Sequence, residues 1–248
     1  MSSIKVLYED NHIIAVEKPA GVLTQPSHEA SAWQGRAEPC IFNDVKDYLK
    51  EEYKKPGNVF LGLVHRLDKP VQGIVLFAKT SKGAARLSEQ FRNHTIQKTY
   101  HAIVVGKPKE ARGEIKEKIN KISFFAEGFT EKSDEELLAD IKKATKTRTA
   151  ELSWEVVKSN GKFSLLKILP KTGRFHQIRV QLSGMGNPIL GDKKYAVGNS
   201  GVRDSANLEW RDDKSIALAA TAISFKSATG DKQIDLEIPL PAEWQKYL

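Results

Sequence analysis

The stretch His65-Arg66-Leu67-Asp68-Lys69-Pro70 places four ionisable side chains between two apolar runs, residues 59–64 and 73–78. Residues 73–78 are apolar at every position, which is typical of a central strand buried on both faces. Because a buried charge without a partner is costly, the stretch must pair internally or lie at the mouth of a cleft. The residues alone leave two interpretations open: a turn with an internal Asp–Arg pair, or a loop that carries chemistry.

Strand-like segments lie on both sides of this stretch and often follow one another directly. Asn160-Gly161, between two such segments, is a strong hairpin signal. We predict strands at residues 4–8, 13–17, 73–78, 98–106, 150–158, 162–169, 216–225 and 233–238. Successive strands with few helices predict an α+β fold with a mostly antiparallel sheet.

Helical periodicity is confined to fewer segments. Asn43 is a suitable N-cap for a helix over residues 44–53, and Ser81 for the next helix. A capping box beginning at Ser133 predicts a short helix. A further helix is expected to open at residues 173–176, run through residue 182 and end at Gly184. The polar residues 26–40 and 196–214 predict a loop and a surface insertion.

The composition of the 248 residues favours a polyanionic partner. Lys and Arg number 39 against 31 Asp and Glu, for a net charge of +8. Eleven basic residues lie between Lys79 and Lys121, against four glutamates. Such an excess suits the phosphates of nucleic acid.

Other features of the sequence point to a cytoplasmic protein. No apolar run approaches the roughly 20 residues of a membrane span, and the N-terminus lacks the layout of a secretory signal. The chain has one cysteine, Cys40, so neither an internal disulfide nor a cysteine-rich zinc site is expected.

Signatures of several enzyme classes are missing from the sequence. Its six histidines show no metal-ligand spacing, and phosphate-loop and dinucleotide glycine patterns are absent. No serine has the context of a nucleophile elbow. We therefore expect neither a metal nor another cofactor.

A second polar cluster lies in residues 171–179, Lys-Thr-Gly-Arg-Phe-His-Gln-Ile-Arg. On a helix, His176 and Arg179 share one face, and Phe175 and Ile178 share another. The cluster can be a solvated face with an apolar back, or a helix N-terminus whose amides and basic side chains bind phosphate. Both interpretations remain open on the residues alone.

Tyr100 lies in an otherwise aliphatic strand, with Lys98 two residues earlier on the same face. A tyrosine in such a strand is, by itself, more typical of a packing residue than of a catalytic one.

Taken together, five segments resemble the motifs of the RluA-like family of RNA pseudouridine synthases, in the family's order and over almost the whole chain. They are Glu17-Lys18-Pro19-Ala20-Gly21 (the KPAG turn), His65-Arg66-Leu67-Asp68-Lys69-Pro70-Val71-Gln72-Gly73 (the HRLDxxTSG loop), Lys98-Thr99-Tyr100 (K-x-Y), Gly173-Arg174-Phe175-His176-Gln177-Ile178-Arg179 (GRxHQIR) and Gly191-Asp192-Lys193-Lys194-Tyr195 (GDxxY). Any one segment would be weak evidence for the family, but five segments in the family's order are specific evidence.

The resemblance implies an α+β pseudouridine-synthase-like catalytic domain, with a mostly antiparallel mixed sheet in two lobes flanked by helices and a central active-site cleft. It implies a single catalytic domain over residues 1–248, without a separate N-terminal RNA-binding domain. Its partner would be ribosomal or transfer RNA, and no cofactor would be needed. We expect a monomer with no membrane attachment and no obligate protein partner.

The resemblance also implies which residues act. The catalytic candidates are Asp68 as the carboxylate, Tyr100 in the active site and Arg179 as the partner of Asp68. The RNA-binding candidates are His65, Arg66, Lys98, Arg174 and His176. Two rival interpretations are a catalytically silent RNA-binding protein on the same fold and a nucleosidase-like enzyme for a small nucleoside, although the latter needs no long basic surface.

Two positions depart from the family's pattern. Val71-Gln72 stands where Thr-Ser is usual, which removes two hydroxyls beside the active loop. Ala219 stands near a place where a histidine is frequent. Neither departure touches Asp68, Tyr100 or Arg179, so we expect activity, with room for an unusual substrate.

Overall fold

The computed structural model describes residues 4–26, 38–119, 147–195 and 215–248. The chain divides into two compact units, one from Met1–Thr99 and Asp213–Leu240, the other from Tyr100–Asp212 and Pro241–Leu248. The helix predicted at Ser133, the insertion predicted at residues 196–214 and most of the loop predicted at residues 26–40 lie outside the described residues.

Strands dominate both units. In chain order the described elements are β1 (Lys5–Glu9), β2 (Ile13–Lys18), α1 (Ile41–Glu52), β3 (Gly62–Leu63), β4 (Gln72–Ala78), α2 (Ser81–Arg92), β5 (Gln97–Val105), β6 (Arg112–Ile119), β7 (Arg148–Ser159), β8 (Phe163–Pro170), α3 (Gln177–Gly184), β9 (Leu218–Lys226), β10 (Gln233–Glu237) and a 3-10 helix (Ala242–Tyr247). Mixed, mostly antiparallel pairing with few helices confirms the predicted α+β class.

In the first unit β4 is a central strand, in the order β1-β2-β4-β9. It pairs antiparallel with β2 and β3 and parallel with β9. Ile74 and Leu76 pack in a core with Leu87 of α2 and Phe225 of β9. Residues on both faces of β4 are buried, Ile74 at 2% exposed and Val75 at 0%, which explains its uninterrupted apolar sequence.

The second unit has the strand order β5-β8-β7-β6, antiparallel throughout. The hairpin between β7 and β8 turns at Asn160, whose Oδ1 accepts a hydrogen bond from Phe163 N at 2.8 Å. Gly161 follows with a φ of 89°, a left-handed conformation that glycine adopts without strain. Helix α3 is attached to β7 by Gln177, whose Nε2 donates to Glu151 O at 3.1 Å.

The predicted strands are confirmed to within two residues at each end, and the hairpin is confirmed as well. Both predicted N-caps are wrong. Helix α1 begins at Ile41, two residues before Asn43, and thereby buries Ile41 on the same side as Val45. Helix α2 is capped by Thr80 rather than Ser81, because Thr80 has the extended backbone from which its Oγ1 can accept a hydrogen bond from Gly83 N at 3.1 Å.

Two further differences concern the second unit. Strand β6 is not predicted, because charged residues occupy both of its faces and the apolar alternation that indicates a strand is weak. Helix α3 begins at Gln177 rather than at residues 173–176, because His176 adopts a left-handed backbone conformation, with φ 51° and ψ 21°. Phe175 therefore does not lie on the helix face that includes Ile178.

In the described ranges, no helix has both the length and the apolar character to cross a membrane. The same residues contain no group of three or more His, Cys, Asp or Glu side chains placed to hold a metal ion.

Candidate active site

The loop that carries Asp68 connects β3 to β4, and its backbone is held at several points. Thr24, which is 3% exposed, accepts a hydrogen bond from Leu67 N at 3.1 Å and donates to Leu67 O at 2.7 Å. Gly21 N donates to Lys69 O at 2.8 Å, and Val71 N donates to Asp68 O at 3.0 Å. Both neighbours of Asp68 are thus fixed through their main chains, which defines the backbone position from which the half-buried Asp68 side chain extends.

Lys18 supplies a further attachment from inside the unit. Its side chain is 0% exposed, and its Nζ donates to Pro19 O at 2.9 Å, to Val22 O at 2.7 Å and to Lys69 O at 3.2 Å. Three carbonyl oxygens match the three donors of an ammonium group. Burial lowers the pKa of Lys18 to about 7, while the charge of nearby Asp68 acts in the opposite direction.

His65 has a packing role in the structure. Its Nε2 accepts a hydrogen bond from Leu76 N at 2.8 Å, and its ring lies 4.8 Å from that of Phe91. Burial, followed by the charge of Lys98, lowers the pKa of His65 to about 3, so the ring is neutral at physiological pH. Contact between His65 and RNA remains a prediction.

The two departures from the family pattern are adjacent in the fold. Gln72 of β4 is the register partner of Ala219 of β9. Val71, at 2% exposed, and Ala219, at 0% exposed, are both buried. The apolar Val71 thus fills interior space, where an unpaired hydroxyl would be costly.

In the second unit, Arg179 forms a buried ion pair with Asp192. Arg179 Nε lies 2.6 Å from Asp192 Oδ2, and Nη2 lies 2.8 Å from Oδ1. The two residues are 6% and 1% exposed, and the Arg179 guanidinium lies 4.9 Å from the centre of the Tyr195 ring. This bidentate geometry fixes the plane of the guanidinium. The pairing of Arg179 with Asp68 that the resemblance implies remains a prediction.

His176 links this ion pair to the surface. Its Nδ1 lies 2.7 Å from the hydroxyl of Tyr195, and its ring is stacked on that of Phe175, with centres 3.8 Å apart and planes 17° apart. Ser183 Oγ in turn donates to Tyr195 O. The left-handed backbone of His176 separates the stacked pair from helix α3.

Arg174 and Gln177 close the turn before α3. Arg174 Nε donates to Thr149 O at 3.0 Å. Gln177 Oε1 accepts from Arg174 N at 3.0 Å and from Thr172 Oγ1 at 2.7 Å. These bonds hold the backbone of the second polar cluster in one conformation.

The remaining candidates are Tyr100, Lys98 and Arg66. Tyr100 of β5 pairs with Ile168 of β8 and is half-buried. Lys98 is half-buried, and burial lowers its pKa, whereas Arg66 is exposed.

The structure therefore brings together two groups of site residues, one in each unit. Asp68 lies close to Lys18 in the first, while Arg179 and His176 adjoin Tyr195 in the second. Sequence analysis assigned no role to Lys18, Thr24 or Asp192. Lys18 and Asp192 fall within recognised motifs, and a basic or acidic residue beside a buried strand or helix was a usable signal for them. Nothing in the sequence marked Thr24.

A pocket of about 410 Å³ in the second unit has Gly113 and Trp154 in its lining. Its other lining residues are Arg112, Glu114, Ser153, Glu155, Lys167 and Leu169. None of the predicted site residues is among them, so the candidate site rests on the held loop and the buried ion pair instead.

The chain is similar to several known proteins. A family model described as RNA pseudouridylate synthase matches residues 12–184. The chain is 29% identical over 246 residues to ribosomal large subunit pseudouridine synthase C of Buchnera aphidicola, covering 98% of this chain and 69% of that protein. It is 29% identical over 250 residues to tRNA pseudouridine synthase C of Vibrio cholerae, covering 99% and 94%. The structure of human RNA pseudouridylate synthase domain containing 4 shares the fold, with a TM-score of 0.70, 23% identity and coverage of 97% and 90%.

Proposed function

As a member of the family of RNA pseudouridine synthases, the chain isomerises uridine in RNA to pseudouridine, and we propose that Asp68 is the carboxylate that carries the reaction. The observation behind this assignment is the fixed loop: hydrogen bonds from Thr24, Gly21 and Lys18 hold the residues on either side of Asp68. A reactive group has to be held within a fraction of an ångström of its productive position.

The reaction explains why a carboxylate suffices. The N1–C1′ bond of uridine breaks, the base turns, and C5 bonds to C1′; C5 loses its proton, and N1 gains one. No electron is gained or lost, so the balance needs no redox partner. An aspartate with an ordinary pKa of about 3.9 is ionised at neutral pH and can attack carbon or stabilise a positive sugar, as carboxylates do in glycoside chemistry.

Arg179 and Tyr100 are proposed to act with Asp68. A guanidinium whose plane is fixed by Asp192 suits a second anionic partner, and pairing with Asp68 would keep that carboxylate ionised in a dry pocket. Tyr100 is proposed to stack on the uracil and to assist removal of the C5 proton. The base has to leave its stack to reach them, at a cost of a few kcal/mol.

The proposed substrate is ribosomal or transfer RNA, because both kinds of RNA appear in the names of the relatives. The proposed contacts with its backbone or bases are His65, Arg66, Lys98, Arg174 and His176. The net charge of +8 supports phosphate binding. We further propose that the protein acts as a monomer.

The test uses tRNA and large-subunit ribosomal RNA transcribed with tritium at C5 of uracil. Wild type should release tritium into water, and Asp68→Asn should release none while keeping its RNA affinity. Asp231→Asn, an exposed control whose carboxylate lies 3.4 Å from Lys226 Nζ, should behave like wild type. Tritium release by Asp68→Asn would overturn the assignment of Asp68, and no release by wild type from either RNA would count against both substrates.

In the same assay, Tyr100→Phe should keep RNA affinity and slow a late step, and Arg179→Ala should reduce turnover more than binding. A Tyr100→Phe enzyme with normal turnover but weak affinity would contradict the role given to Tyr100.

A further inference from the structure

Phe175 is a large apolar side chain that the fold covers only in part. It is 46% exposed, whereas Ile178, three residues later, is 8% exposed. Burial of a large apolar side chain favours folding. The partial exposure of Phe175 therefore gives up stability, in the segment that also carries Arg174 and His176.

The exposed ring is also held in place. It is stacked on His176, with ring centres 3.8 Å apart and planes 17° apart. The His176 Nδ1 is in turn 2.7 Å from the hydroxyl of Tyr195. Because the Phe175 ring is already held, binding of a ligand costs little side-chain entropy, which favours affinity.

The surroundings indicate the chemistry of that ligand. The Tyr195 ring touches His176 edge-on, with centres 5.6 Å apart, and lies 4.9 Å from the Arg179 guanidinium. The stacked pair therefore adjoins the proposed catalytic arginine, and the cationic Arg174 precedes it in the chain. An aromatic face among cations is the arrangement on which proteins stack the bases of unpaired RNA.

We propose that Phe175 is a stacking residue for a base of the substrate RNA that neighbours the flipped uridine, and that it helps to determine which RNA is accepted. This inference rests on the proposed function, because it assigns part of the same site to the same substrate. Stacking tolerates different bases, so Phe175 selects for an unpaired nucleotide at this place rather than for one sequence.

The test measures the affinity of Phe175→Ala and Phe175→Trp for unmodified transcripts of tRNA and large-subunit ribosomal RNA, by filter binding at several salt concentrations. Phe175→Ala should bind its RNA about tenfold more weakly, and Phe175→Trp should stay within about twofold of wild type. The slope of log affinity against log salt should not change, since a lost phosphate contact would reduce it by about 0.7–0.9. On RNA binding, tryptophan fluorescence should be quenched more in Phe175→Trp than in wild type, which already has four tryptophans.

The matched control is Phe60→Ala, in the first unit, because Phe60 is 52% exposed; it should bind both RNAs like wild type. The stacking role is overturned if Phe175→Ala binds both RNAs as tightly as wild type, if Phe60→Ala loses as much affinity, or if Phe175→Trp shows no more quenching than wild type. If Phe175→Ala binds RNA more weakly while wild type releases no tritium, the stacking role of Phe175 is upheld and only the isomerisation is overturned.

Discussion

Replacing Asp192 by asparagine removes one charge of the buried pair with Arg179 while keeping the volume of the side chain. The two residues are 1% and 6% exposed, and removing one partner from such a pair costs about 3–5 kcal/mol. Asparagine retains one acceptor oxygen, which restores about 1 kcal/mol. We therefore expect a loss of about 3 kcal/mol, which lowers Tm by about 6–12 °C in a chain of this size.

The assay is unfolding by urea and by heat, with Asp231→Asn as the control for loss of an exposed carboxylate. A double variant, Arg179→Met with Asp192→Leu, should regain most of the stability, since apolar residues can replace a buried ion pair at little cost. It should nevertheless release no tritium, because the guanidinium is gone. A loss below about 1 kcal/mol in Asp192→Asn would refute the reasoning, and so would an active double variant.

Three further predictions concern the support of the Asp68 loop. Burial lowers the pKa of Lys18 from 10.5 to about 7. Between these two pH values the unfolded chain binds more protons than the folded chain, so the free energy of unfolding of wild type should rise with pH. In Lys18→Met, urea unfolding should show no such contribution to the pH dependence. Because His65 Nε2 accepts from Leu76 N at 2.8 Å, His65→Leu should lower the free energy of unfolding by about 1–3 kcal/mol. Since His65 is also a proposed RNA contact, this variant should bind RNA more weakly, and an RNA affinity equal to that of wild type would contradict the contact. In Gly73→Ala the added Cβ would lie 2.3 Å from Ala220 O, so we expect a loss of about 3 kcal/mol or more, and a melting temperature like that of wild type would contradict the strand pairing.

The strands were predictable where one physical cause dominates. The apolar residues of β4 and the Asn160-Gly161 turn each have one arrangement that satisfies burial or backbone geometry. Helix α1 shows the limit of such rules. Asn43 is a good cap in isolation, but burial of Ile41 together with Val45 extends the helix past it.

The candidate site was predictable in its motifs and less so in its contacts. The motifs identify Asp68 and Arg179 by position along the chain. The observed carboxylate partner of Arg179 is Asp192, 13 residues away, and choosing it requires knowing how α3 and the following turn fold back. The exposure of Phe175 depends on the left-handed backbone of His176. The residues that flank His176 in the sequence do not predict this conformation.

The hydrogen bonds of Lys18 Nζ affect which sequence changes such an enzyme can accept. Its three acceptors are main-chain carbonyls, and these are present whatever side chain follows. The side chains of Val22 and Lys69 can therefore be exchanged, by evolution or in a designed library, without loss of the hydrogen bonds that Lys18 Nζ donates. Insertion or deletion of one residue between Pro19 and Val22 would shift the carbonyls themselves. Substitutions at Val22 and Lys69 should thus be tolerated where changes in length are not, which makes these two side chains a practical place to alter the RNA target.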